Sequence, residues 1–86
     1  MKILKFYTTY CSQCKQQTKL LEGFTEAEII SLDCDENEDL VEKYEVRGLP
    51  TLVIINENDE VISKFVGMTK PEVLKDAINN YEINKA

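Results

Sequence analysis

Cys11 and Cys14, three positions apart, are the residues of this chain whose type and spacing could do chemistry. A Cys-x-x-Cys pair has two ordinary uses: thiol–disulfide exchange, or half of a tetrahedral zinc site. The chain holds three cysteines and no histidine. That composition removes Cys–His nucleophilic dyads, mixed Cys–His zinc sites and every imidazole acid–base mechanism. Cys34 is the one further thiol, so a four-ligand zinc site would need a carboxylate or a second chain. An odd cysteine count is also unlike a disulfide framework, and in a reducing compartment a close pair is catalytic or metal-binding more often than structural. The ligand count favours exchange over metal.

Exchange needs a thiolate, because the thiol itself does not attack a disulfide. A helix beginning near Ser12 would aim free backbone N–H groups and its positive dipole end at Cys11. Such placement lowers a thiol pKa from ~8.5 toward ~7 or below. No acid occurs between Ser12 and Glu22, while Lys15 and Lys19 add positive charge. Cys14, one turn on, is then near enough to attack a mixed disulfide at Cys11.

Several elements must hold that loop in place. Ile3, Leu4, Phe6 and Tyr7, interrupted by Lys5, read as a buried strand. A polar, weakly amphipathic helix follows from Ser12 to Glu22, with Gly23 as its stop. Glu28–Asp33 reads as a second strand. The acidic cluster Asp35–Asp39 suits a helix N-terminus, with Leu40, Val41 and Tyr44 on that helix's apolar face. Calcium is not read from these carboxylates, which lack the EF-hand glycine and spacing.

Thr51–Ile55 and Val61–Val66 are strand runs separated by the turn cluster Asn56–Asp59, hence a hairpin. Thr69 and Glu72 have capping-box spacing around Pro71, and Val73, Leu74, Ala77, Ile78 and Tyr81 then recur at helical period. The order β-α-β-α-β-β-α predicts an α/β domain. The first two strands should be parallel through a right-handed crossover and the last two antiparallel. A four-stranded mixed sheet with three helices on its two faces closes it. Cys11 then lies in a loop at a carboxyl end of the sheet, where α/β proteins place their sites.

The totals agree. Eighty-six residues, 43% of them hydrophobic, predict a single domain over 1–86, burying roughly 60–65% of its unfolded surface. A net charge of −6 and a single arginine, Arg47, argue against nucleic acid or an anionic membrane as partner. No segment approaches the ~18 apolar residues of a membrane span. Lys5 interrupts the opening apolar run before any signal-peptide core forms. A cytoplasmic monomer is the expectation.

The segment from Lys2 to Lys15, with Tyr10-Cys11-Ser12-Gln13-Cys14 at its end, resembles the first strand and active-site loop of thioredoxins and glutaredoxins. The segment Tyr44–Thr51, ending Gly48-Leu49-Pro50-Thr51, resembles the thioredoxin segment ending Gly-Ile-Pro-Thr. Val66-Gly67 and the final helix match as well. The likeness runs from Lys2 to about Tyr81, and the two motifs, about 35 residues apart in the right element order, are far more specific together than alone.

The resemblance implies a thioredoxin fold and a protein-disulfide reductase with Cys11 as nucleophile and Cys14 as resolving thiol. It implies that Pro50 is cis and faces the pair, and that the Leu49 backbone meets an incoming peptide as a short strand would. It puts Tyr10 and Gly67 beside the substrate. No cofactor is implied, since the dithiol carries two electrons. Electrons would come from a flavin-containing thioredoxin reductase using NADPH. The alternatives are a glutathione-dependent glutaredoxin and a non-catalytic peptide-binding module of the same fold. The glutathione reading is weakened by Gly67-Met68-Thr69-Lys70, which offers one glycine and no acid until Glu72.

The departures matter too. Tyr10 stands where thioredoxins carry Trp, and Ser12-Gln13 where they carry Gly-Pro. Lys5 stands where they bury a carboxylate, and Ser31 where that carboxylate's lysine partner lies. Lys5 either extends to solvent or sits near the thiols as a charge, and the solvent-directed placement is the expectation. Cys34 falls where the family has an aliphatic residue, so a buried, inert thiol is expected there.

Overall fold

The computed structural model describes residues 1–85; Ala86, the last residue of the expected domain, lies outside them. Four strands form one sheet in the order β2-β1-β3-β4. They are β1 (Lys2–Tyr7), β2 (Glu28–Asp33), β3 (Thr51–Ile55) and β4 (Val61–Val66). Three α-helices accompany them: α1 (Ser12–Leu20), α2 (Glu38–Lys43) and α3 (Pro71–Lys85), with a 3-10 turn at Cys34–Glu36. The thioredoxin fold and the predicted element order are both present.

β1 and β2 run parallel, with Ile3 beside Ile29 and Lys5 beside Ser31. β1 is antiparallel to β3, pairing Phe6 with Thr51, and β3 is antiparallel to β4. The two central strands are therefore covered on both faces, which accounts for the uninterrupted burial of all five β3 residues. Ile3, Leu21, Leu52, Ile54, Leu74 and Ile78 fill one side, under α1 and α3. Leu4, Phe6, Tyr44, Val53 and Ile55 fill the other, with Leu40 and Val41 of α2 packed against them. The hairpin turn is organised by Asn56, whose Oδ1 accepts from the amides of Asn58 (2.9 Å) and Glu60 (3.0 Å).

Three local expectations are corrected. The acidic run does not open one helix: Asp33 Oδ1 caps a 3-10 turn through the Asp35 amide at 2.9 Å, and α2 starts only at Glu38. Thr69 does not cap α3, which begins at Pro71, because its hydroxyl donates to the Gly67 carbonyl at 3.0 Å instead. Proline at the first helical position needs no amide partner, so Pro71 itself marks the start. The first helix stops at Leu20, and Gly23 (φ 81°) turns the chain three residues later.

Candidate active site

The first strand delivers the chain to Thr8 and Thr9, and the Cys11 amide donates back to the Thr8 carbonyl at 3.3 Å. Cys11 is the N-cap of α1, with extended backbone (φ −100°, ψ 108°). Its sulfur accepts the Cys14 amide hydrogen at 3.1 Å, the place an Asp or Ser oxygen takes in other helix caps. The sequence expectation that Cys11 sits at a helix mouth is met. No acid occupies the first turn of α1, and Lys19 lies in its last.

Cys11 and Cys14 are joined as a disulfide with their Cα atoms 5.3 Å apart. Their exposures differ: Cys11 is half-buried, whereas Cys14 is only 3% exposed. Cys11 is therefore the more accessible residue of the pair to an incoming group. Tyr10, just before the pair, is 77% exposed and contributes apolar surface beside it.

The segment before β3 lies at the same end of the sheet. The Leu49–Pro50 bond is cis. The register of Phe6 with Thr51 puts the start of β3 at the end of the sheet where β1 hands over to the cysteine loop. Pro50 is fully buried. Its carbonyl accepts the Gly67 amide hydrogen at 2.8 Å, binding the loop after β4 to the same corner. Gly67 has φ 92°, a conformation open to glycine at little cost. A Cβ at Gly48 would sit 3.0 Å from Val66 Cγ1, so the approach to Leu49 passes tightly under β4.

Lys5 corrects the sequence reading. It is only 6% exposed. β1 is a central strand, and Lys5 lies on its α1 face, two residues from Ile3, so its stem has no free edge to follow. Its ammonium donates to the Thr18 hydroxyl, which in turn donates to the Cys14 carbonyl at 3.1 Å. Burial holds the Lys5 amine below its usual pKa of 10.5. Lys5, Tyr7, Thr8, Cys14, Thr18 and Ser31 are among the residues lining a cavity of about 450 Å³. Lysine thus stands beside the helix turn that carries Cys14.

Cys34 is half-buried rather than buried, packed beside Leu32 and Leu40 at the edge of the α2-side core. Desolvation first, then the carboxylates of Asp33 and Asp35, push its thiol pKa upward. That environment disfavours the reactive thiolate. Among the described residues, no group of three or more His, Cys, Asp or Glu could hold a metal ion. Nor is any helix there long and apolar enough to cross a membrane.

Gln17 was not singled out by the sequence, yet it is fully buried three residues after Cys14 and bonds both ways to the Thr69 backbone. Its signal was available: Cys14, Gln17 and Leu21 recur at the spacing of one helix face.

Comparison with known proteins points one way. The thioredoxin family model matches residues 1–80. Thioredoxin from Staphylococcus epidermidis is 33% identical across 94% of this chain and 82% of its own length. Thioredoxin-1 of Saccharomyces cerevisiae is 38% identical across 88% of this chain and 76% of its own. Among solved structures, a mutant thioredoxin from Halobacterium salinarum superposes with a TM-score of 0.81 at 34% identity, covering 93% of this chain and 73% of that one. Thioredoxin 1 from Thermosipho africanus gives 0.77 at 25% identity and covers both chains completely. With a Cys-x-x-Cys at a helix mouth and a cis-proline at the same corner of the sheet, this chain belongs to the thioredoxin family and is a thiol–disulfide oxidoreductase.

Proposed function

We propose that the protein reduces protein disulfides with Cys11 as nucleophile and Cys14 as resolving thiol. The observation that carries this reading is the asymmetry of the pair: Cys11 caps α1, accepts the Cys14 amide at 3.1 Å and is reachable, while Cys14 is enclosed. The Cys11 thiolate attacks one sulfur of a substrate disulfide and expels the other as a thiolate. The Cys14 thiolate then attacks the Cys11 sulfur, forming the Cys11–Cys14 disulfide and releasing the second substrate thiol. Two electrons leave the dithiol, and the substrate gains two electrons and two protons.

Tyr10, Leu49 and Gly67 are assigned to the substrate, with the Leu49 backbone pairing an extended peptide. Pro50, fully buried, holds that backbone in place instead of touching the substrate as the sequence reading had it. The dithiol carries the electrons, so the reading gives no role to a metal or organic cofactor. The partners are protein disulfides and a flavin-containing thioredoxin reductase using NADPH. The protein acts as a one-domain cytoplasmic monomer.

The test compares insulin reduction driven by NADPH with thioredoxin reductase against reduction driven by glutathione with its reductase. Turnover with the first system, lost in Cys11→Ser, is expected. A strong preference for glutathione, or full activity in Cys11→Ser, would contradict the assignment.

A further inference from the structure

A glutamine with no exposed surface has to satisfy both ends of its amide inside the fold, since burying an unbonded amide costs several kcal/mol. Gln17 does so with a single residue. Its Nε2 donates to the Thr69 carbonyl at 2.8 Å, and its Oε1 accepts the Thr69 amide hydrogen at 2.8 Å. This is the paired exchange that one strand makes with the next, performed here by a side chain. Thr69 lies in the segment between β4 and α3, 52 residues away in sequence.

That segment is held from a second side. The Gly67 amide donates to Pro50 at 2.8 Å, and the Thr69 hydroxyl donates to the Gly67 carbonyl at 3.0 Å. A continuous set of bonds therefore runs from Cys14 through one turn of α1 to Gln17, across to Thr69, back to Gly67 and on to Pro50. Met68, between the two anchors, is exposed, as is Val66 before them. An apolar side chain of similar size at position 17 would bury without desolvation cost. It would also leave the Thr69 N–H and C=O unbonded in the interior, which costs about 1–3 kcal/mol for each group. The loop would then be released from α1.

We propose that Gln17 is a positioning residue: it fixes the 67–70 segment against the helix that carries Cys14, and so governs how protein disulfides, but not small ones, engage the site. The proposal rests on the reading of Cys11 and Gly67 given above. A small disulfide needs only the Cys11 sulfur. A protein substrate must also lie along the Leu49 backbone and the Gly67–Met68 surface, whose place Gln17 sets.

The test uses prereduced wild type, Gln17→Met and Gln17→Asn in single-turnover reactions with insulin and, separately, with hydroxyethyl disulfide. Asn keeps the amide but is one methylene too short to reach both partners. Circular dichroism reports whether each variant is folded. Folded variants should need about tenfold or more insulin for half-saturation. Their limiting rate, and their rate with hydroxyethyl disulfide, should stay within about twofold of wild type. Equal losses on both substrates, or no change with insulin, would overturn the proposal. So would failure of both variants to fold, since Gln17 would then hold the core rather than the loop. A wild type inactive on both disulfides would instead defeat the functional reading itself.

Discussion

The Gly67 amide donates to the Pro50 carbonyl at 2.8 Å, joining the loop after β4 to the peptide that opens β3. Gly67 reaches that bond with φ 92°, and Gly23 adopts φ 81° far from the cysteines; an added Cβ would meet nothing within 4 Å at either position. The cost of alanine is therefore in the backbone, about 1–2 kcal/mol at each. Both variants should lower the urea midpoint by similar amounts. Gly67→Ala alone should also slow insulin reduction, measured with the protein fully folded.

Lys5 is a buried cation whose amine is held below 10.5 by desolvation. The unfolded chain then binds the Lys5 proton more tightly than the folded one. Stability accordingly rises with pH between the folded pKa and 10.5. Cys34 acts in the opposite sense, because its raised thiol pKa makes the folded state hold a proton longer above the ordinary 9.0. That contribution is common to wild type and Lys5→Met. The stability advantage of Lys5→Met over wild type should thus be greatest at neutral pH and shrink as pH approaches 10.5. Urea titrations at successive pH values measure it; a difference constant with pH would contradict buried Lys5.

Thr8 Oγ1 is buried with no hydrogen-bond partner among the described residues. Valine has the same shape without the hydroxyl. Thr8→Val should stabilise the fold by about 1 kcal/mol, raising Tm by roughly 4–8 °C in a domain of this size. Calorimetry on the oxidised protein checks this.

Strand positions were legible because β-branched runs such as Thr51–Ile55 end at turn residues, and three strands begin and end where the sequence reading put them. The cysteine loop was legible for a different reason: Cys-x-x-Cys after a strand has few physical uses. Lys5 and Gln17 were misjudged or passed over because each is polar and therefore reads as solvated. Their burial follows from tertiary context: Lys5 shares the α1-facing side of a central strand with Ile3, and Gln17 shares a helix face with Cys14 and Leu21. Thr69 misled through capping-box spacing, because its backbone was already committed to Gln17 and its hydroxyl to Gly67.

The most direct measurement is capture of a mixed disulfide with a protein substrate such as insulin, read by mass spectrometry under non-reducing conditions. Cys14→Ser should accumulate a substrate adduct on Cys11 that dithiothreitol releases, and Cys11→Ser should accumulate none. Equal capture on Cys14 in the Cys11→Ser protein would contradict the assignment of attack to the sulfur that caps α1.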